Sequence, residues 1–493
     1  MRTPWIGCLL LLPLAAAAAA ADDTARELLG RTLAPTPVLS DLQELTDDIG
    51  GRPTGSPALA EAIRWGTQKF RGAGLAGVHA ETYTAPALWY QGGESGEMLA
   101  PQARVLRVAA LPFSAGTGEQ GITAEVIDVG SGDATAFTAA GARLKGRLAL
   151  VTGSPARTSA DNDNEFDIMM RIFPAARSAG AAGVLWASGH PGRLLYRQPV
   201  GLNTVVDPLP GAMLEREEAL RISRLLARGK TVRLRIVTTP HILKQPMTAN
   251  VVGEIPGSIK PQQIVVLGAH LDSWDLGQGA LDNGCNVALV IDAARQIAAL
   301  AHAHPPRRTL RFVLFTGEEA GFLGSFAHVQ QHRAELDRTV AMVTIDLGTG
   351  RTTGFSTGGR TDVMDALAAA LSPVESLGPF THTTEASLGT DNFDFLVEGI
   401  PNFVAIQDEA PYVPNYHAAS DTFDKVDVRE LKDNTAIAAV LVWELANAPT
   451  APAPRQTRAQ VEQVVQETGL DKEMKMYGIW DDFVSGKRGR MRQ

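Results

Sequence analysis

At 493 residues the chain is longer than one compact domain usually runs, so a main body with at least one further module is expected. Its hydrophobic fraction of 45% and charged fraction of 20% are ordinary globular values. A net charge of −9 argues against a polyanionic partner, because nucleic-acid binders gather Lys and Arg on one face and usually carry net positive charge.

The chain begins with Arg2, an apolar run from Trp5 to Leu14 and an alanine tract ending at Ala21, just ahead of Asp22. Basic, apolar and small-residue parts in that order read as a cleavable leader over residues 1–21, so export to the periplasm or beyond the cell is expected. With its alanines the run approaches the about 20 residues that span a bilayer. Alanine is only weakly apolar, so cleavage is favoured over an anchor. No later stretch reads as long and apolar enough to span, and no stable membrane insertion is expected. Cys8 precedes most of the apolar run, which argues against a lipid anchor. Loss of the leader leaves Cys285 alone and excludes an intrachain disulfide.

Residues 22–105 read as helix and loop, including a helix over 61–70. Between about 121 and 236 the texture changes to short strands at 122–129, 147–151, 183–187 and 209–214, with a helix-like stretch at 174–180. This is expected to be an α/β module, 116–242, inserted into a main body made of 22–115 and 243–447. In that body the continuous apolar runs 264–267, 310–315, 340–345 and 403–406 read as parallel strands covered on both faces, and 286–300 has helical spacing. The fold class expected is α/β, with a doubly wound, mostly parallel sheet. After Asn447, residues 448–493 read as a Pro/Ala-rich linker, a short helix at 458–467 and a polar tail. The tail's basic residues Lys487, Arg488, Arg490 and Arg492 read as a solvated terminus.

Acidic and imidazole groups follow three successive strands: His270 and Asp272, then Glu318 and Glu319, then Asp346. Open α/β sheets bind ligands at those strand ends, so these groups should meet in one crevice. Asp282 lies in the glycine-bracketed turn Gly279-Ala280-Leu281-Asp282-Asn283-Gly284; alone it would read as a helix N-cap. Adjacent carboxylates at Glu318 and Glu319, behind an apolar strand, repel each other and lose hydration, which calls for a cation or a raised pKa. One can ligate metal while the other takes a proton from the attacking water. His417 follows the fourth strand in Asn415-Tyr416-His417-Ala418-Ala419-Ser420-Asp421. The other eight histidines, His79, His190, His241, His302, His304, His328, His332 and His382, read as ordinary surface or core residues. Two histidines and three carboxylates without a thiolate suit zinc, with cobalt or manganese as substitutes. Asp272 is placed to accept the second N–H of His270 and fix its tautomer.

The stretch from Gly268 to Asp282, together with Leu388-Gly389-Thr390-Asp391-Asn392-Phe393, resembles the M28 metallopeptidases. The similarity runs to about Asn447, and the segment Gly121-Ile122-Thr123-Ala124-Glu125-Val126 is similar to a protease-associated domain. The resemblance implies two zinc ions bridged by Asp282, with His270 and Asp346 on one and Glu319 and His417 on the other. It implies Glu318 as general base and Asp272 as its supporting neighbour. Asn283 departs from the pattern, since close relatives carry a second Asp there. The close group within the family implies small unblocked peptides, notably dipeptides, as substrates. A broader aminopeptidase, a glutaminyl-cyclase-like acyltransferase on the same fold and a non-catalytic peptidase-like ectodomain are the rival readings. The last predicts missing ligands or a missing base, and all are present. A homodimer is left open.

Overall fold

The computed structural model describes residues 12–201 and 204–491, with side chains from residue 23 onward except at 134. Residues 1–11, and so most of the expected leader and Cys8, lie outside the described residues; the alanine tract falls in the helix Leu12–Leu33.

The main sheet has seven strands: β1 (Ala76–Thr84), β2 (Met247–Ile255), β3 (Lys260–His270), β4 (Arg308–Phe315), β5 (Thr339–Thr344), β6 (Thr352–Ser356) and β7 (Asn402–Gln407). Their order is β1-β2-β4-β3-β5-β7-β6. The central four, β4, β3, β5 and β7, run parallel. β2 on one side and β6 on the other run antiparallel to these, and β1 pairs antiparallel with β2, so the sheet is mixed rather than mostly parallel. The apolar runs marked the central strands because both faces are covered. Val265, Leu267 and Ala269 of β3 face the helices Cys285–Ala301 and Val428–Asn447. Ile264 and Val266 face the layer containing Val329 and Phe395. The edge strand β1, largely exposed, has no apolar alternation to announce it.

A second mixed sheet, with parallel strands Ile122–Asp128, Leu148–Val151, Gly183–Ala187 and Asp207–Leu214 at its heart, stands beside the first. The long strand Ala87–Ala100 pairs antiparallel with Arg233–Lys244 and belongs to this second sheet. The reading of 22–105 as helix and loop therefore misses two strands, Ala76–Thr84 and Ala87–Ala100. The second, Ala-Leu-Trp-Tyr-Gln-Gly-Gly-Glu-Ser-Gly-Glu-Met-Leu-Ala, hides its strand character behind three glycines and polar residues.

Two further expectations are corrected. Among the described residues one helix, Ala280–Ala301, is long and apolar enough to cross a membrane; it is apolar all round because it is buried in the main core. The C-terminal segment is folded, not a solvated tail. Its helices Arg458–Glu467, Leu470–Met476 and Trp480–Val484 share a core with Phe322, Phe393 and Leu396. Arg488 is buried against Asp394, with Nε to Oδ1 at 2.7 Å, and Arg490 donates to the carbonyl of Gln456. A buried carboxylate needs a cation partner; nothing in the sequence near Asp394 shows that Arg488 supplies it.

Candidate active site

The C-terminal ends of β3, β4, β5 and β7 deliver His270, the Glu318-Glu319 turn, Asp346 and the His417 loop to one crevice, as their strand positions predict. Asp282 enters from the turn ahead of the helix Cys285–Ala301 and lies between the two imidazoles. Its Oδ1 is 3.2 Å from His270 Nε2 and its Oδ2 is 3.3 Å from His417 Nε2. Each histidine has a second carboxylate: His270 Nε2 lies 2.9 Å from Asp346 Oδ1, and His417 Nε2 lies 2.9 Å from Glu319 Oε2. His270, Asp282 and Glu319 bring ligand atoms within 4.8 Å of one another.

The far nitrogen of each ring is held by a main-chain carbonyl. His270 Nδ1 is 3.0 Å from the Asp272 carbonyl, whereas the Asp272 carboxylate, expected to take this bond, stands 3.8 Å away. That carboxylate instead accepts from Thr54 Oγ1 at 2.5 Å and from the main-chain N–H groups of Glu318 and Glu319, both at 3.4 Å. Asp272 thus fixes the glutamate turn. Gly317, at φ 77°, lets the chain make that turn; a Cβ there would meet the Tyr83 hydroxyl at 2.8 Å.

His417 has φ 56°, a left-handed conformation that surrounding contacts must enforce. Those contacts come from the second sheet's side of the molecule. The Arg197 carbonyl lies 2.9 Å from His417 Nδ1, and the Arg197 N–H donates to the His417 carbonyl at 3.0 Å. The Arg197 guanidinium is fully buried, forked onto Asp275 at 2.8 and 2.7 Å and bonded to Glu94 at 2.6 Å. Arg197→Met is expected to leave two carboxylates uncompensated, costing about 3–5 kcal/mol. It should also weaken metal retention by freeing the His417 loop, read as a lower Tm and faster metal loss to a chelator. Unchanged retention would separate Arg197 from the site.

Several contributors carry no sequence signal of their own. Asp421 accepts from the N–H groups of Leu281 at 2.6 Å and Asp282 at 3.2 Å, holding the shared carboxylate in place. Its position four residues after His417 is the one hint. The buried Arg52 donates to the carbonyls of Gln278 and Gly279, both at 2.9 Å, and so fixes the same turn. Asn283, joined to Asp282 by a cis peptide, donates to the Ile345 carbonyl at 3.2 Å and accepts from Asn286 at 2.6 Å. An aspartate could not make the first of these bonds.

The electrostatics call for cations. Burial pushes Glu319 up to about 7, with the Asp282 charge adding to it against the pull of His417. Burial, against the pull of His270, also sends Glu318 well above the usual carboxylate range, with Asp346 and Glu319 repelling it further. Asp391, a buried neighbour, is pushed up to about 8 by burial, reinforced by Asp272 and Asp346. Burial would lower both histidines, yet the charges of Asp346 and Glu318 hold His270 well above the usual range, and Glu319 with Asp282 brings His417 to about 10. Oε1 of Glu319 is buried without a hydrogen-bond partner. Orphaned carboxylate oxygen, crowded negative charge and imidazoles fixed through their far nitrogens suit divalent metal ligation.

Glu318 is half-buried and faces a cleft of about 560 Å³. Tyr416 lines it from the main body, Asp163 and Phe166 from the second unit's helix Ser159–Ser178, and Tyr477 from the C-terminal segment. The Phe166 and Tyr477 rings, both lining the cleft, stack with centroids 4.9 Å apart.

A strand-end crevice of this donor set, opening on a cleft, is a candidate divalent-metal centre of an α/β hydrolytic enzyme. Residues 250–442 match Peptidase family M28. Carboxypeptidase Q of Bos taurus is 30% identical over 413 residues, covering 82% of this chain and 84% of the relative. A crystal structure of a Peptidase M28 precursor from Shewanella amazonensis superposes with a TM-score of 0.81 at 27% identity, over 89% of this chain and 99% of that one. A zinc aminopeptidase from Bacillus subtilis has the same fold, with a TM-score of 0.66 at 19% identity, over 85% of this chain and 97% of that one. The chain belongs to peptidase family M28.

Proposed function

We propose that this protein is an exported exopeptidase that uses a pair of zinc ions to hydrolyse dipeptides and other short unblocked peptides. The observation that carries the reading is Asp282, shared between two imidazoles that each have a second carboxylate of their own. In this reading His270 and Asp346 would hold one ion and Glu319 and His417 the other, with Asp282 available to both. Zinc held there would supply a water whose pKa is lowered towards about 7 and a Lewis acid for the scissile carbonyl. Glu318, with no ligand role, removes the proton from the attacking water and returns it to the leaving amine. Asp272 keeps Glu318 and Glu319 in their separate orientations through their main-chain N–H groups.

Short substrates are favoured because the helix Ser159–Ser178 and the C-terminal segment narrow the cleft from outside the main body. The likeness to carboxypeptidase Q supports the dipeptide class, and the reading of residues 1–21 as a leader supports export. The second unit, whose sheet runs from the strand Ala87–Ala100 to the strand Arg233–Lys244 and so reaches beyond the 116–242 expected, we take as the protease-associated module.

The test is chromatography of digests of a free dipeptide, its N-acetyl form, its amide and an unstructured protein, each with and without chelator. Loss of cleavage on either block, with the protein intact, is the expected result. Loss on N-acetylation alone would make the enzyme an aminopeptidase. Internal cleavage of the protein with free dipeptides untouched would refute an exopeptidase.

A further inference from the structure

A second group of metal-type ligands lies outside the crevice, where the edge strand β1 meets the helix Leu323–Gln331. His328 is in the last turn of that helix and His332 follows its end, four residues on and so on the same side. Both face Glu81 of β1: His328 Nδ1 is 2.9 Å from Glu81 Oε1, and His332 Nε2 is 2.7 Å from Glu81 Oε2. One donor atom from each of the three lies within 4.8 Å of the other two. The two rings are 4.3 Å apart between centroids, and His328 is packed between Phe315 and Phe395.

We infer that Glu81, His328 and His332 form a further divalent-cation site of the zinc type, separate from the catalytic crevice. Two imidazole nitrogens and one carboxylate oxygen are a borderline donor set that suits zinc, nickel or cobalt over calcium or magnesium. The surroundings are those of a ligand set held in place. Asn250 Nδ2 donates to Glu81 Oε1 at 3.1 Å, leaving Oε2 to the cation. Glu335 Oε2 lies 3.0 Å from His332 Nδ1, a carboxylate–histidine pair of the kind that orients metal-bound imidazoles. Arg311, 3.3 Å from the same Nδ1, is matched by Glu254 at 2.7 Å and Glu335 at 2.9 Å. The carbonyl end of the helix favours a cation. His332 is 21% exposed, so water can complete the coordination. A cation here would clamp β1 to the helix that follows the Glu318-Glu319 turn.

The test uses full-length protein in which His270→Ala and His417→Ala disable the crevice. Stripped with chelator and titrated with zinc by calorimetry, it is expected to take up one ion per chain and to melt at a higher temperature with zinc. Adding His332→Ala should abolish both effects. No uptake by the double variant, or uptake that survives His332→Ala, overturns the site. If the double variant does not fold, zinc-soaked wild-type crystals decide: an anomalous peak between Glu81, His328 and His332 supports the inference, and none at that position refutes it. Failure here leaves the crevice reading untouched, because its own ligands are distinct.

Discussion

Glu318→Gln is expected to retain its fold and its metal while turnover of a free dipeptide falls by about 10²–10⁴-fold, the usual worth of a positioned proton acceptor. The amide fills the same space and cannot take the proton. Both glutamates line the cleft, and Glu319 Oε2 lies 2.9 Å from His417 Nε2 within the ligand cluster. Burial and the charges of Asp346 and Glu319 raise Glu318 well above an ordinary carboxylate, the direction a base working near neutral pH needs. Glu319→Gln should do the reverse, losing metal first and activity as a consequence. Steady-state kinetics with elemental analysis of the same samples distinguishes them. Exchanged phenotypes would mean the two roles are exchanged.

Asp282→Ala is expected to empty the crevice of both ions, since the residue faces both imidazoles at 3.2 and 3.3 Å. Loss of a group that merely orients a ligand costs about 10–100-fold in metal affinity, and loss of a shared ligand costs more. The variant should still fold, because Asp421 and Arg52 hold the turn through main-chain groups that alanine retains. Calorimetric zinc titration checks this. Wild-type affinity in Asp282→Ala would remove the bridge from the account.

The central strands and the candidate ligands that follow them were legible because strand ends in an open α/β sheet converge, and because strands covered on both faces must be apolar throughout; Asp282, in a turn, would alone have read as a helix N-cap. His270, Glu319, Asp346 and His417 could therefore be placed before any geometry was known. What the sequence hid were groups that act across long separations. Arg197 reaches His417 over 220 residues and presents a carbonyl, which every residue type has. Asp272 showed its position but not its partner: spacing could not tell carbonyl from carboxylate at His270. The edge strand β1 and the strand Ala87–Ala100 were lost because exposed or glycine-rich strands lack alternation. Arg488 looked like part of a solvated tail because its partner, Asp394, is 94 residues earlier. His328 and His332 read as ordinary for the same reason, with Glu81 more than two hundred residues away.

The most direct test of the metallopeptidase account is anomalous diffraction at the zinc edge from crystals of enzyme shown to hydrolyse a free dipeptide. Two peaks about 3.5–4 Å apart are predicted, lying on either side of Asp282, one beside His270 and Asp346 and the other beside Glu319 and His417. A single peak in a fully active crystal, or peaks that none of these five side chains touches, would contradict it.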